Sequence, residues 1–394
     1  MWFDAPIGYI SITADYTKEW EKWWKNPEEV EHYEFMAKDN VPFHSVVFPA
    51  TLLGSESSTC KWTMVKHLMA TEYLNYEDAK FSKSRGIGVF GNDAADTEIP
   101  SDIWRFYLIY TRPENADSAF KWDDFMLKNN SELLANLGNF VNRALKFCKD
   151  SFGGRISEII MNEGDKKVLI EINGYLNAYQ AAMEICHLRE SISEILNISR
   201  RGNQLMQAEK PWALLKSAKR EDKLRASSVV SFCANIAALI SLLIEPFMPK
   251  LSSGILKQLN ITLDDVNILK GENAFKCFLK PGHTIGVPEP LIREIKKDEI
   301  EALQKRFAGS QKEREKSVEN SKHKEKQNPA IIKQIEEGIL VQSDVIEKMA
   351  TGATSNENMK DAKDILEFLK KQLEITRGNC QPKETKGSKK GMKK

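Results

Sequence analysis

One short run of residues combines cations with hydroxyl groups: Lys80, Phe81, Ser82, Lys83 and Ser84. Glycines follow at positions 86 and 88, so ammonium groups, hydroxyls and open backbone amides occur at one place. Such groups stabilise the charge of a departing pyrophosphate, which makes the run a candidate for nucleotide chemistry. Basic runs rich in serine are also common on solvated loops, so these five residues alone leave both interpretations open.

Two further motifs precede this run, at Trp2–Tyr9 (WFDAPIGY) and at Lys38–Ser45 (KDNVPFHS). Taken in order, the three motifs resemble the second half of the catalytic domain of a class I aminoacyl-tRNA synthetase. The chain most resembles the methionyl-tRNA synthetase family of the animal cytoplasmic type, and the resemblance covers nearly its whole length. Related families for isoleucine, valine, leucine and cysteine share the lysine loop, but the two upstream motifs favour methionine.

The resemblance implies that ATP activates methionine, which is then transferred to tRNA. The methionine carboxylate attacks the α-phosphorus and pyrophosphate leaves, so catalysis rests on positioning and charge stabilisation. Lys80 and Lys83 are implied to neutralise the phosphates of ATP, which enters as its magnesium complex. Ser82 and Ser84 are implied to shape the loop, and Phe81 replaces the methionine that is commoner at its position.

Asp39 is implied to bind the ribose of ATP, because a carboxylate accepts hydrogen bonds from both ribose hydroxyls. The Lys38-Asp39 pair resembles the ribose-contacting turn of the family, although Ala37 stands where glycine is often found. The alternative is that Asp39 is an ordinary turn residue.

The resemblance also implies a methionine pocket formed by five side chains: Trp2, Pro6, Tyr9, His44 and Phe48. Aromatic rings suit a flexible thioether, because sulfur packs well at ring edges. Bacterial members usually have tryptophan where Phe48 stands. Three roles are open for His44: a hydrogen bond near the sulfur, orientation of Tyr9, or a histidine satisfied within the core.

A second group of residues is implied to read the anticodon: Asn139, Arg143 and Trp212. Asn139 and Arg143 are four residues apart and therefore share one face of a helix. Unpaired bases stack on aromatic rings, while amide and guanidinium groups hydrogen-bond to base edges. The alternatives are a solvated helix pair for Asn139 and Arg143, and core packing for Trp212.

Composition limits the remaining possibilities. The 394 residues contain 57 Lys+Arg and 56 Asp+Glu, so bulk charge gives no argument for binding nucleic acid. The six cysteines include no pair at CxxC spacing, and we expect reduced thiols, no zinc site and a cytoplasmic location. The first residues lack the pattern of a signal peptide. The most apolar stretch, Ala234–Ile244, is too short to span a bilayer and predicts a buried helix, so we expect no membrane partner.

Short elements must position these groups. Tyr9–Thr13 is β-branched and alternating, which predicts a strand, whereas Glu19–Met36 predicts a helix with a tryptophan face. Ser45–Phe48 is either a buried strand or the start of a helix. Strands alternating with helices predict a parallel sheet. From Asp123 onwards, apolar residues recur at helical spacing and predict a bundle.

The predicted fold class is therefore α/β followed by all-α. It comprises a partial, Rossmann-like class I nucleotide-binding half, an α-helical anticodon-binding bundle and a C-terminal helical hairpin. The predicted segments are 1–128 for the second half of the catalytic domain, 129–280 for the anticodon-binding domain, 281–327 for a linker, 328–378 for the hairpin and 379–394 for a basic tail.

The hairpin, two helices about a turn at Gly352–Asn358, resembles a WHEP domain. With the tail, it is expected to add non-specific tRNA affinity or to dock other synthetases in a multi-enzyme complex.

The family's other ATP signature, a His-Ile-Gly-His turn, does not occur in this sequence. It belongs to the first half of the nucleotide fold, with the acidic residue that holds the substrate amine. We expect the C-terminal portion of a methionine–tRNA ligase: a truncated form, an incomplete gene model or a chain acting with a separate N-terminal piece. Alone, it should activate methionine weakly or not at all. The alternative is a non-catalytic protein that binds tRNA or assembles a complex.

Overall fold

The computed structural model describes residues 4–57, 60–77, 80–81, 87–266, 274–275, 277–307, 329–350, 362–363, 365–371 and 373. The chain forms two compact units, Met1–Phe307 and Ala308–Lys394. Residues 308–327 of the linker predicted at 281–327 lie outside the described residues, as do the predicted turn at Gly352–Asn358 and the predicted basic tail.

In the described part of the first unit, the strands are β1 (His32–Ala37), β2 (Val65–Thr71), β3 (Leu74–Tyr76) and β4 (Ser118–Phe120). β1 and β2 pair in parallel, with Glu34 opposite Leu68 and Ala37 opposite Thr71. β3 and β4 also pair in parallel, with Tyr76 opposite Phe120. Parallel pairs need crossover connections, which the helical residues between the paired strands supply. The predicted parallel topology is confirmed.

The α-helices described in the first unit are α1 (Asp4–Tyr16), α2 (Glu21–Trp24), α3 (Phe48–Ser55), α4 (Gly91–Ala95), α5 (Ser101–Tyr110), α6 (Trp122–Lys128), α7 (Asn139–Phe152), α8 (Glu163–Glu184), α9 (Leu188–Glu209), α10 (Pro211–Leu214), α11 (Arg220–Ile244), α12 (Pro249–Leu259) and α13 (Lys297–Arg306). Short 3₁₀ turns occupy Lys38–Asn40 and Leu263–Val266, and π-helical segments occupy Phe43–Val47 and Asn129–Gly138. The second unit contains α14 (Pro329–Ala350) and further helical residues within 362–373.

The strand predicted at Tyr9–Thr13 is wrong, because these residues lie in α1. The hydroxyl groups of this run are satisfied by the helix itself: Ser11 Oγ donates to Ile7 O at 3.2 Å, and Thr13 Oγ1 donates to Tyr9 O at 3.0 Å. Local β propensity is a weak preference that tertiary context overrides. Trp24 supplies some of that context, since its indole Nε1 donates to Thr13 Oγ1 at 2.9 Å.

The long helix predicted over Glu19–Met36 is also wrong in extent. Only Glu21–Trp24 is α-helical, and His32–Ala37 forms β1. Pro27 lies between them, and proline ends a helix because it lacks an amide hydrogen and clashes with the preceding turn. For Ser45–Phe48, the structure supports the helix-start alternative, because the π-helical segment leads directly into α3.

The helical bundle predicted from Asp123 onwards is confirmed. Its periodic apolar residues are buried, among them Leu133, Leu137, Phe140, Val141, Val168, Ile172, Leu176, Ile192, Ile195 and Leu196. Helix α11 is buried over most of its length: every residue from Ala226 to Ile244 is buried apart from Leu242. The apolar stretch Ala234–Ile244 is only the end of this 25-residue helix, so its length does not exclude a membrane span. Burial identifies α11 as a core helix instead, since 94% of its most apolar 18-residue segment is buried inside the protein.

A close approach between α7 and α9 gives a stability prediction. A Cβ atom added at Gly202 would lie 2.3 Å from Cε2 of the buried Phe140 ring. We expect Gly202→Ala to lower the free energy of unfolding by about 1–2 kcal/mol, because overpacking outweighs the gain in helix propensity. Urea denaturation followed by circular dichroism measures this change.

Gly174 in α8 is the matched control, because an added Cβ atom there meets nothing within 4 Å. Gly174→Ala should raise the free energy of unfolding by up to about 1 kcal/mol. Stabilisation by both substitutions would contradict the close packing of α7 against α9.

The first part of the predicted linker packs against the bundle. Ile292, Ile295 and Ile300 belong to the hydrophobic core of the first unit. Asn130 fixes this segment, because its Nδ2 donates to Ile295 O at 2.8 Å and its Oδ1 accepts from Ile295 N at 3.0 Å. The described part of the predicted linker, residues 281–307, therefore includes a packed helix, α13.

The second unit has the contacts of an antiparallel helical hairpin. Gln342 Nε2 donates to Ala362 O at 3.1 Å, and a Cβ atom at Gly338 would lie 3.8 Å from Leu369 Cδ1. Earlier residues of α14 therefore face later residues of the second helical segment.

Candidate functional site

Aromatic side chains from four elements meet near the start of the first unit: α1, α2, the π-helical segment Phe43–Val47 and α3. Tyr9 of α1 lies 5.7 Å from His44 and 6.3 Å from Phe48, measured between ring centroids, and meets Phe48 edge to face. Trp24 lies 6.2 Å from Phe48, again edge to face. His44 and Phe48 are buried, whereas Tyr9 is 37% exposed. The result is a ring-lined wall with one accessible aromatic side chain.

The contacts of His44 fit two of the three roles that the sequence left open: orientation of Tyr9, and a histidine satisfied within the core. Its Nδ1 lies 2.9 Å from Asn40 O, and its Nε2 lies 3.0 Å from the Tyr9 hydroxyl. A carbonyl only accepts, so Nδ1 carries the hydrogen in a neutral ring and Nε2 accepts from Tyr9. Burial, and then the charge of Glu34, raise the pKa of Tyr9, so its hydroxyl keeps its proton at neutral pH.

The structure brings together three residues of the predicted methionine pocket: Tyr9, His44 and Phe48. Pro6 is buried in the first turn of α1, and Trp2 lies outside the described residues. Trp24 was missed by the pocket prediction. The sequence signal was its place in the tryptophan cluster at residues 20–24, which was interpreted only as a helix face.

A cavity of about 350 Å³ opens beside Tyr9 and His44. Its lining residues are Tyr9, Ile12, Thr13, Trp24, His32, Tyr33, Glu34, Phe35 and His44. Burial raises the pKa of Glu34, an effect that nearby His44 partly opposes. Burial and the charge of His44 lower the pKa of His32. The cavity therefore combines an aromatic wall with a carboxyl group that the sequence did not single out.

Asp39 lies just beyond the carboxyl end of β1, in the 3₁₀ turn Lys38–Asn40, and is exposed. In open parallel sheets, ligands bind beyond the carboxyl ends of the strands. Lys38 holds this turn in place, because its ammonium pairs with Glu72 and Asp117 and lies 4.6 Å from the Tyr73 ring centroid. Its hydrogen bond to Glu72 raises the pKa of Lys38.

The lysine run is described only at its beginning. Lys80 is exposed, while Ser82, Lys83 and Ser84 lie outside the described residues. Phe81 is half-buried, and its ring centroid lies 5.4 Å from that of Tyr76. Gly88 has φ +118°, and a Cβ atom there would lie 2.4 Å from Phe81 Cδ1. Glycine at 88 is therefore required by both backbone conformation and ring packing.

The residues predicted to read the anticodon come from two helices. Asn139 begins α7 and is exposed, and Arg143 follows one turn later. The Arg143 guanidinium carbon lies 5.4 Å from the ring centroid of Trp212, which is half-buried in α10. The structure thus brings Arg143 and Trp212 together, although they are far apart in sequence. A guanidinium over an indole ring is a cation–π contact that leaves polar hydrogens available for a ligand.

No group of three or more metal-ligating side chains occurs among the residues that the structure describes.

Comparison with known proteins identifies the family of this chain. The family model "tRNA synthetases class I (M)" matches residues 1–145, and the model "Anticodon binding domain of methionyl tRNA ligase" matches residues 158–312. The cytoplasmic methionine–tRNA ligase of Xenopus laevis is 53% identical over 82% of this chain and 35% of its own length. That of Homo sapiens is 46% identical over 99% of this chain and 43% of its own length.

Solved structures support the same fold. Mycobacterium tuberculosis methionyl-tRNA synthetase in complex with methionyl-adenylate has a TM-score of 0.63 at 21% identity, covering 73% of this chain and 55% of that one. Parallel strands followed by a helical bundle, together with the two adjoining family matches, define a class I aminoacyl-tRNA synthetase fold. Within this class, the chain belongs to the methionyl-tRNA synthetase family. It spans less than half the length of the curated relatives named above.

Proposed function

We propose that the chain is the C-terminal portion of a cytoplasmic methionine–tRNA ligase, which activates methionine with ATP and transfers it to tRNA. The observation that carries this proposal is the Tyr9 hydroxyl held by His44 beside the ring of Phe48. Trp2 and Pro6 would complete an aromatic and apolar pocket, where ring edges favour the methionine sulfur. The relatives' names, methionine–tRNA ligase and cytoplasmic, support the activity and the location.

ATP, as its magnesium complex, would bind beyond the carboxyl end of β1. Asp39 would accept hydrogen bonds from the ribose hydroxyls, and the anchored side chain of Lys38 would keep the turn in one conformation. Lys80 and Lys83 would stabilise the charge that develops on pyrophosphate as it leaves, while Ser82 and Ser84 would shape the loop. The packing of Phe81 against Tyr76 supports a fixed base for this loop.

Residues 1–128 would form the second half of the catalytic domain in this proposal, and residues 129–280 the anticodon-binding domain. Asn139 and Arg143 would hydrogen-bond to base edges, and the accessible part of Trp212 would provide a stacking surface. The Arg143–Trp212 contact supports this assignment, because it gathers both recognition chemistries at one place.

The test is methionine-dependent exchange of pyrophosphate into ATP. The chain would be assayed alone and mixed with the upstream half of the catalytic domain of the Xenopus laevis relative. We expect exchange well above background only in the mixture, since the His-Ile-Gly-His turn is not in this sequence.

Lys80→Ala combined with Lys83→Ala should lower the exchange rate of the mixture, whereas Lys22→Ala combined with Lys61→Ala, two mostly exposed lysines, is a control of equal charge change. Background exchange in a mixture that sedimentation shows to be a complex would contradict the proposed activity. A near-normal rate from the chain alone would contradict the need for the other half.

A second candidate function is favoured by the helical bundle, which holds Arg143 and Trp212 together without the catalytic residues. In that case the chain binds tRNA, or assembles with other synthetases through the WHEP-like hairpin at 328–378 and the tail at 379–394. The antiparallel contacts between α14 and residues 362–373 support the hairpin. Binding of methionine-specific tRNA without exchange in the mixture would favour this second function.

A further inference from the structure

Glu34 is a buried carboxylate without a hydrogen-bond partner in the described part of the chain. It lies within β1, is 6% exposed, and lines the cavity beside Tyr9 and His44. Neither of its carboxylate oxygens has a hydrogen-bond partner among the described residues. Its nearest described basic group, His32 Nε2, lies 3.6 Å from Oε1, which is beyond hydrogen-bond distance.

His32 does not neutralise this carboxylate at neutral pH. Burial and the neighbouring charge of His44 lower the pKa of His32, so its ring is neutral there. His44 is already engaged on both ring nitrogens, by Asn40 O and by the Tyr9 hydroxyl. A buried carboxylate that lacks a partner is costly, and such groups mark binding sites more often than ordinary surface carboxylates do.

Aromatic rings form much of the remaining lining: Tyr9, Trp24, Tyr33 and Phe35. No lysine or arginine is among the described residues that line this cavity. Rings around a carboxylate are the chemistry that recognises an onium cation, because the ring faces and the carboxylate both attract diffuse positive charge. The volume of about 350 Å³ accommodates a molecule the size of an amino acid.

We propose that this cavity binds an amino acid whose side chain ends in a sulfonium group, with Glu34 as its counter-ion. The inference deepens the proposed function, because the cavity shares Tyr9 and His44 with the proposed methionine pocket. Neutral methionine would use the ring edges and leave Glu34 unpaired. A sulfonium group at the sulfur position of the bound amino acid would pair with Glu34, and its methyl groups would contact the rings. Glu34 is therefore the residue that determines how this pocket responds to charge at sulfur.

The experiment uses S-methyl-L-methionine and L-methionine as probes, titrated by calorimetry into the full 394-residue chain at about pH 8. The variant Glu34→Gln keeps the shape of the side chain and removes the charge. We expect it to bind S-methylmethionine at least about tenfold more weakly, since opposite charges about 5 Å apart interact this strongly at an effective dielectric constant of about 20. Its affinity for methionine should change by less than about threefold. Glu28→Gln, an exposed substitution with the same charge change, should leave both affinities unchanged.

Equal affinity of wild type and Glu34→Gln for S-methylmethionine would overturn the inference, as would failure of wild type to bind it. Circular dichroism of each variant verifies folding, and the methionine titration reports an intact pocket independently. Binding of S-methylmethionine that depends on Glu34, without any binding of methionine, would support the cation site while contradicting the proposed methionine pocket. Binding of methionine without binding of S-methylmethionine would support the proposed methionine pocket and contradict the cation site.

Discussion

Trp212→Ala is expected to weaken the binding of methionine-specific tRNA by about tenfold to a hundredfold. Stacking of an unpaired base on an aromatic ring contributes about 1–3 kcal/mol, and alanine removes the ring. The substitution also removes the surface beneath the Arg143 guanidinium, now 5.4 Å from the indole centroid. Filter binding or fluorescence anisotropy at one fixed salt concentration measures the effect, because phosphate contacts depend steeply on salt.

Two controls separate base recognition from general loss of affinity. Trp23→Ala removes an indole that is 60% exposed and lies outside the bundle, so it should leave tRNA affinity unchanged. The wild type should bind a tRNA with an altered anticodon poorly. The affinities of wild type and Trp212→Ala for that tRNA should be similar. Unchanged affinity of Trp212→Ala for the methionine-specific tRNA would remove Trp212 from the proposed site.

Asp165→Ala is expected to lower the free energy of unfolding by about 3 kcal/mol, the low end of the range for breaking a buried ion pair. The Asp165 side chain is 2% exposed, and its carboxylate accepts from both terminal nitrogens of Arg225. It also accepts from Asn162 N at 3.0 Å, which closes the capping box of α8. Arg225 retains Glu209 at 2.8 Å, which keeps the loss from being larger.

Urea denaturation of the chain measures this loss. Asp165→Asn should cost less than alanine, because an amide oxygen preserves the helix cap while the charge is lost. Glu163→Ala is the matched control: its partner, Lys166, and Glu163 itself are mostly exposed, so the change should stay below about 1 kcal/mol. Equal losses from Asp165→Ala and Glu163→Ala would contradict a structural role for the buried pair.

The bundle was predictable because helices such as α8 are long and bury one face. Val168, Ile172 and Leu176 follow the helical period over about two turns, and all three are buried in α8. The N-terminal part was not, because its elements are short and its residues have mixed preferences. Tyr9–Thr13 alternates like a strand, yet bonds within the helix satisfy Ser11 and Thr13. Short β-branched runs therefore do not distinguish strand from helix without their neighbours.

Motif resemblance proposed residues for the candidate site, but it did not predict the contacts between them. Motif resemblance named Tyr9, His44, Arg143 and Trp212, but spacing alone could not show which of them touch. The structure supplies the Tyr9–His44 hydrogen bond and the Arg143–Trp212 contact. Glu34 was overlooked because it fell within the helix predicted over Glu19–Met36, where a glutamate ordinarily faces water, and only the packing around β1 makes it buried.

The all-round burial of α11 has a consequence for how the protein is handled in cells. Helices α7, α9 and α12 pack against α11, so its apolar surface would be exposed to water if a protease removed α7 or α9, or if premature termination removed α12. Chaperones and degradation machinery act on such surfaces, so partial copies of the bundle should be cleared rather than accumulate. The bundle is therefore expected to persist only as a whole.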